Sequence, residues 1–553
     1  MESRIWHKQY DPLVPTTLNY PRIPLQHLLR HAANTAPKVA ATNFYGSQLT
    51  YMELNLRSLR MANALVGLGV AKGDRVALHL PNCPQYLIAY YAVLHLGAIV
   101  VNLSPLYTPA ELEHALTLTE PRFVFTFEMV LEGVRKAVEL AQVPGLIVSK
   151  VTDYIDALGV SSREDLGLKQ DERHFSELLD SCDKTRVPDV DIQPEDPAVI
   201  FFTGGTTGIP KGAVLTHGNC IASTLALSIW GERSMREIPV GERRNLAIIP
   251  LFHVYGQLCC LQHSVYFQAT MHLVPRFDID EVFGIIQSVE DFSFFPAVPT
   301  LINALTSDPR AEETGLAYKF KLINNGGGPI PTELIRKLNA RDYVFSEGWG
   351  MTETCSMGIT NPVMGLKKPG SIGIPLIDAQ VKLVDVETGE NEVPTGQSGE
   401  ILIKAPYVMK EYWNNPEETA KHLKDGWLHT GDVAVQDEDG YMFIVDRKKD
   451  MIIAGGYNIY PREIDEVLYT HPKVAEAISL GVPDEYRGET VKAFVVLAPG
   501  QAATEEEIID FCRQKLAAYK VPKRVEFREE LPKSAVGKIL RRVLRDEEMV
   551  RKP

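Results

Sequence analysis

The sequence has no apolar run long enough to cross a bilayer. Its most hydrophobic window, Tyr86 to Val101, falls short of the roughly 20 residues a spanning helix needs and contains His95 and Gly97. That window reads instead as a buried helix ending at Gly97, followed by the strand Ala98–Val101. The seven cysteines (83, 182, 220, 259, 260, 355 and 512) form no CxxC pair and no zinc-ligand spacing. That gives no sign of a cysteine-held zinc, and an odd count suits a reducing cytosol. Repeats and low-complexity tracts are missing, and so are the basic and apolar regions of a signal sequence at Met1–Trp6. Positive charge is scarce: the net charge of −14 argues against broad nucleic-acid binding. The expectation is a cytoplasmic protein with reduced thiols.

What is present is an ordinary globular composition, 45% hydrophobic and 23% charged, over 553 residues. That length allows three or four packed units of about 100–200 residues each. The most informative stretch is Thr203-Gly204-Gly205-Thr206-Thr207-Gly208-Ile209-Pro210-Lys211-Gly212, entered from the strand-like run Ala198–Phe202. Glycines let backbone N–H groups turn towards an anion, threonine hydroxyls add donors, and Lys211 brings a positive charge. A Walker A loop needs Gly-Lys-Ser/Thr opening a helix, but here Pro210 precedes the lysine and Gly212 follows it. Ala213–His217 then reads as another strand, with a helix only after Asn219. A Gly/Thr-rich surface turn is the plain alternative to a phosphate cradle.

Five further clusters accompany the loop. Asn325-Gly326-Gly327-Gly328-Pro329 is a glycine run after a strand, equally a turn or a place of close ligand approach. In Glu347-Gly348-Trp349-Gly350-Met351-Thr352-Glu353 a glycine-flanked aromatic offers a slot for a flat base, Thr352 a donor to phosphate, and Glu353 a hard oxygen ligand for Mg²⁺. Thr430-Gly431-Asp432 with Arg447 supplies a carboxylate able to accept from both ribose hydroxyls; alone it would read as a turn. Gly455-Gly456-Tyr457-Asn458 is either a hairpin turn or a passage for a narrow ligand. Lys538, within Pro532–Ile539, follows a small loop and precedes a helix carrying Arg541, Arg542 and Arg545.

Residues from about 25 to 130, and again from 240 to 350, alternate helix and strand patterns, as in an α/β layered sheet. Expected elements include a helix Leu59–Leu68, the strands Arg75–Leu80, Arg244–Ile249 and Lys321–Asn324, and a helix Ala110–Leu118. Residues about 150–195 read as a variable connecting segment. The short strands Gln380–Val384, Glu400–Ile403 and Tyr441–Val445 suggest a small β-barrel-like unit over 370–445. The charged run Asp446–Asp450 marks a boundary before a compact α+β section. In that section Pro461 opens a helix with Ile464, Val467 and Leu468 on one face. Thr504 and Glu507 form a capping box for a helix Glu505–Leu516, with strands Ala475–Val482 and Val491–Leu497 between the helices.

Together these clusters resemble, in order and spacing over nearly the whole chain, the adenylate-forming superfamily of acyl-CoA synthetases, peptide-synthetase adenylation domains and beetle luciferases. The stretches Asp446–Arg462 and Leu531–Arg542, with Leu80–Gln85 and Phe252–Gly256, look most like bacterial long-chain fatty-acid–CoA ligases. The resemblance implies an α/β fold with an AMP-binding N-terminal domain (1–446: α/β subdomains 25–369, a β-barrel-like subdomain 370–445). A mobile α+β C-terminal domain (447–553) would follow a hinge at 446–450. It implies ATP, Mg²⁺ and coenzyme A, and a reaction through an acyl-adenylate that releases AMP and pyrophosphate.

By the same resemblance, Mg²⁺ sits on Glu353 and Thr203, and the backbone cradle 203–212 holds phosphates. Trp349, between Gly348 and Gly350 and after Glu347, lies against adenine; Thr352 is near the α-phosphate; Asp432 and Arg447 hold the ribose. Lys538 contacts the carboxylate and the α-phosphate, Lys449 is the pivot, and Gly455-Gly456 flank the pantetheine channel. His253, Val254, Tyr255 and Val298, within Phe294–Pro299, line the acyl pocket, with Gly327 and Gly328 leaving room for a straight chain. The same residues would also serve as plain core.

Three positions depart from the pattern. Ile453 replaces a lysine of luciferases and aromatic-acid ligases, Gln257 a gating tryptophan of some long-chain members, and Trp349 a commoner tyrosine. A medium-chain or aryl acid–CoA ligase, an acyl-AMP ligase serving a carrier protein, and a non-catalytic fatty-acid binder or transport partner stand as alternatives. Peripheral contact with the inner face of a membrane, and a monomer or a homodimer, both stay open.

Overall fold

Two helices of the first α/β section begin where a threonine side chain takes their free N–H groups. Thr50 accepts from the Glu53 N–H while Glu53 reaches back to Thr50, so the helix expected from Leu59 starts at Tyr51 and runs to Gly67. Thr108 and Glu111 do the same for Pro109–Thr119. The apolar window is the helix Pro84–His95, buried along nearly its whole length, followed by the strand Ile99–Asn102. The computed structural model describes residues 4–155, 158, 162–203, 210–328, 330–454, 457–484, 486–535 and 537–550.

An eight-stranded sheet carries that section. Its order is Glu411–Tyr412, Lys211–Thr216, Pro197–Thr203, Ile99–Asn102, Arg75–Leu78, Phe123–Phe127, Leu146–Ser149 and Arg173–His174. The six from Pro197–Thr203 to Arg173–His174 run parallel, and Lys211–Thr216 folds back antiparallel. The helix after it starts at His217 rather than beyond Asn219, because Thr216 caps it by accepting from the Asn219 N–H. The stretch 150–195 holds the short strand Arg173–His174 and the helix Phe175–Asp180.

A second α/β layer contains the parallel strands Phe295–Ala297, Ile323–Asn325 and Phe345–Trp349. A four-stranded sheet joins Arg244–Ala247, Thr270–Leu273, Ala40–Phe44 and Ser47–Thr50. The unit expected as barrel-like is mainly β, with one helix, Pro416–His422: Gln380–Val384, Ser398–Lys404, Trp427–Gln436 and Leu423–Lys424 pair in that order, with Met442–Arg447 also on Trp427–Gln436. Among the described residues this sheet is open. Leu423–Lys424, two residues long, sits at one end of the order and Gln380–Val384 at the other, and no pairing joins them.

The last section has its own cores. Ile452, Ile464, Leu468, Val491 and Ile508 fill one, and Leu480, Phe494 and Leu544 another. Its sheet is built on the long hairpin Val474–Asp484 and Gly488–Leu497. The helix Pro461–Tyr469 buries Pro461, Ile464 and Leu468, as its pattern requires. The helix Glu505–Arg513 is capped by Thr504, but only half the expected box forms: the Glu507 carboxylate is taken by Lys473 Nζ at 2.7 Å. The charged run at 446–450 is no solvated linker either. Asp446 and Asp450 are buried, and Arg541 and Arg545 close on them.

Candidate active site

Parallel pairing decides which loops meet. Register sets Ala297 beside Asn325 and Asn325 beside Glu347. Val298 and the glycine run therefore leave the sheet at the carboxyl ends of its strands, where ligands of open α/β sheets bind, beside Gly348-Trp349, which go on to pair with Ile359–Thr360. Gly350 must be glycine, since a Cβ there would lie 1.5 Å from the Ser356 carbonyl oxygen. That tight return swings Thr352 and Glu353 into a short 3₁₀ turn.

Glu353 is buried, and its Oε1 accepts a 2.6 Å hydrogen bond from the Tyr412 hydroxyl. Lys211 stands over the same tyrosine ring at 5.3 Å and pairs with Glu418. Thr203 ends its strand opposite Lys211. Gly204, Gly205, Thr206, Thr207 and Gly208 lie outside the described residues, as do Gly455 and Gly456. Among the described residues no group of three or more His, Cys, Asp or Glu side chains could hold a metal. A single buried carboxylate such as Glu353 is instead the kind of ligand Mg²⁺ takes, one or two carboxylates with the rest of its shell from phosphate oxygens and water.

Asp432 and Arg447 face each other on adjacent antiparallel strands, with Arg447 Nε 3.0 Å from Asp432 Oδ1. The other carboxylate oxygen, Oδ2, accepts from the Trp349 indole at 2.8 Å, a contact no sequence pattern announces. Glu347 is buried with one donor, the Gly370 N–H at 3.3 Å, and burial pushes its carboxyl up to about 8. It is therefore protonated at neutral pH. Between about 4.5, the ordinary value, and 8 the folded state holds a proton that the unfolded chain has released, so this group's contribution to stability falls as pH rises through that window. Glu347→Gln is expected to unfold at a higher temperature than wild type at pH 8.5, with a smaller difference at pH 6. Equal midpoints at both pH values would refute the buried neutral carboxyl.

Lys538 reaches this group from the far end of the chain. Its loop is folded on itself by Ser534 N–H to Lys538 O and Gly537 N–H to Ser534 O, both 2.8 Å. It rests on Thr300, whose hydroxyl donates to the Gly537 carbonyl at 3.4 Å. The Arg447 charge, then burial and Lys449, bring the Lys538 amine down to about 7, with Asp432 and Asp450 pulling the other way. Burial and the Arg447 charge bring Lys449 to about 8. Burial, with Lys538 nearby, lowers His253 to about 4, so that imidazole is neutral. Lys538, Lys449 and Arg447 thus act on one another in one site, partly offset by Asp432, Asp450, Asp446 and Glu353, and such shifted proton affinities mark a functional site.

Val254, Tyr255 and Val298 are buried. The Tyr255 hydroxyl donates to Asn324 O at 2.7 Å, and a Cβ on Gly326 would touch its ring at 2.9 Å. Past Asn324 lies a cavity of about 20 Å³ whose lining includes Leu227, Trp230, Met235 and Phe294. Gly327 lies against Val298, and Gly328 has more room. Gln257 donates to the Tyr86 hydroxyl within a π-helical segment, Gly256–Gln262, and Ile453 is exposed. Sequence reasoning passed over Tyr412 and Glu418, which meet Glu353 and Lys211 across 59 and 207 positions of the chain. A tyrosine or glutamate carries no local signal of such a contact.

Residues 29–413 match the AMP-binding enzyme family and residues 463–538 the AMP-binding enzyme C-terminal domain. The long-chain-fatty-acid–CoA ligase of Bacillus subtilis (strain 168) is 41% identical over 98% of both chains. That of Escherichia coli O6:H1 is 37% identical over 99% of this chain and 98% of its own. Among solved structures, ATP-bound MatB from Rhodopseudomonas palustris superposes with a TM-score of 0.82 at 29% identity, covering 96% of this chain and all of its own.

Proposed function

The chain belongs to the AMP-binding enzyme family, and from that premise we propose that it joins a long-chain fatty acid to coenzyme A at the expense of ATP, through an acyl-adenylate. The observation that carries the reading is the contact of Asp432 with both Arg447 and Trp349, with the Asp432 and Arg447 charges close enough to Lys538 of the C-terminal section to act on its amine. In the first step a carboxylate oxygen bonds to the α-phosphorus and the bond to pyrophosphate breaks. In the second the thiol sulfur bonds to the acyl carbon, the bond to AMP breaks, and the thiol proton is released. The first step brings anions together, so charge compensation matters more there than acid–base help.

Lys538 and Arg447 meet that need. Asp432 accepts from the ribose, Trp349 bounds the adenine slot, and Thr352 donates to the α-phosphate. Glu353, oriented by Tyr412, and Thr203 hold Mg²⁺, which supplies charge neutralisation at the phosphates when bound. His253, Val254, Tyr255 and Val298 receive the acyl chain beside Gly327 and Gly328, and Lys449 is the pivot between half-reactions, within a hinge at 446–450. Gly455 and Gly456 flank the thiol's approach. We place the enzyme in the cytoplasm, as a monomer or homodimer touching the membrane that carries its insoluble substrate. All seven cysteines are free, and among the described residues no helix is long and apolar enough to cross a bilayer.

The test is CoA-dependent AMP formation from ATP across saturated acids of about two to eighteen carbons, with benzoic and cinnamic acids alongside. Activity is expected to peak at about twelve carbons or longer. A peak at short or aromatic acids would overturn the substrate and leave the chemistry.

A further inference from the structure

The helix Thr332–Ala340 begins without a cap of its own. Its preceding residue is Pro331, which has no side-chain acceptor to offer the free N–H groups of the first turn. The missing acceptor comes from the other side of the molecule. Glu466, on the helix Pro461–Tyr469, accepts with Oε2 from the Thr332 N–H at 3.1 Å and from the Thr332 hydroxyl at 3.0 Å. The carboxylate also meets the positive end of that helix, where an anion is favoured.

One turn earlier on the Glu466 helix, Arg462 lies 3.9 Å from Glu466 Oε1. Arg462 donates its backbone N–H to Asp446 Oδ2 at 2.8 Å and its guanidinium to the Ile444 carbonyl at 3.0 Å. A continuous path therefore runs from the strand that ends at Arg447, through Arg462 and Glu466, to Thr332. The Lys538 loop touches down separately, with Gly537 on Thr300 at the start of the helix Pro299–Ser307. The C-terminal section is thus seated on the starts of two helices, Pro299–Ser307 and Thr332–Ala340, which follow the strands Phe295–Ala297 and Ile323–Asn325.

We propose that Glu466 is a positioning residue: by capping the Thr332 helix across the interface, it holds the C-terminal section in the pose that brings Lys538 to Asp432 and Arg447. This rests on the ligase reading above. Glu466 touches no reacting atom. Its two hydrogen bonds join the two sections, so any turn of the C-terminal section that carries Glu466 off Thr332 breaks them. The contact is exposed, and its removal costs the pose rather than the fold.

The experiment compares Glu466→Ala, Glu466→Gln and wild type, as full chains, in two half-reactions. One is fatty-acid-dependent ATP–pyrophosphate exchange; the other is thioester formation from added acyl-AMP and CoA. Alanine is expected to slow exchange about three- to tenfold, the worth of one or two exposed hydrogen bonds, and to leave the thioester half unchanged or faster. Glutamine, whose amide oxygen can accept both bonds, should recover most of the exchange rate, and thermal midpoints should coincide. Equal loss in both halves, a glutamine variant as slow as alanine, or unchanged exchange would overturn the proposal while the ligase reading stands. Wild-type protein without acid-dependent exchange would bring down the ligase reading and this proposal together.

Discussion

Lys538→Ala is expected to lower fatty-acid-dependent ATP–pyrophosphate exchange by about 10²–10³-fold, the scale seen when one preorganised donor to developing charge is removed. Thioester formation from added acyl-AMP should proceed at close to the wild-type rate. The reason is geometric. Lys538 sits on a small loop docked on Thr300, where its ammonium feels the charges of Arg447 and Asp432 and acts on His253. Before ligands arrive the Arg447 charge holds its amine near 7, so part of the free enzyme carries the neutral form at physiological pH. The active form is the charged one. Exchange kcat/KM for ATP, which reports the free enzyme, should therefore fall as pH rises through about 7. Loss of both half-reactions in equal measure would remove Lys538 from the adenylation step.

Asp432→Asn should act on the same lysine from the other side. Asp432 neutralises Arg447 at 3.0 Å, accepts from Trp349 at 2.8 Å, and is the first of the two carboxylates that favour the charged form of Lys538. Asparagine can still accept from the indole but cannot offset either cation. We expect exchange kcat/KM to fall about 10–100-fold, as for loss of a general positioning contact and one charge partner. The alkaline limb should move down by about one pH unit, the usual effect of removing an opposite charge within a few ångströms. A lowered rate with an unmoved limb would mean that Asp432 serves the ribose alone. An unchanged rate would take it out of the nucleotide site.

Much of this was legible from local pattern. The strand before the Thr203 loop, the buried helix after Pro84, the glycine run after Ile323–Asn325 and the helix opened by Pro461 all follow from short-range periodicity and capping chemistry. Where local reading failed, a nearby cap or a distant partner had decided the matter. The helix before Leu68 began at its Thr50 box, eight residues ahead of its strongest apolar face, and Thr216 started its helix before the expected Asn219. Glu507 gave its carboxylate to Lys473 rather than to its own helix end. The run Asp446–Asp450 reads from its charge as a boundary, with nothing local to say what its carboxylates meet. Its carboxylates are buried because Arg541 and Arg545 return from the end of the chain to meet them.

By itself the sequence determined the chemistry on offer: a glycine and threonine anion loop, an aromatic between glycines, a carboxylate for a cation, and a lysine near the C-terminus. These depend on residue type and on neighbours a few positions away, which a linear chain displays. Only the tertiary structure decided who meets whom. Parallel register put Val298 and the glycine run beside Gly348-Trp349; antiparallel pairing put Arg447 opposite Asp432. The docking of the last section on Thr300 and Thr332 then brought Lys538 among charges that reset its proton affinity. Electrostatic energies depend on distance and burial, and neither is fixed until the chain has folded.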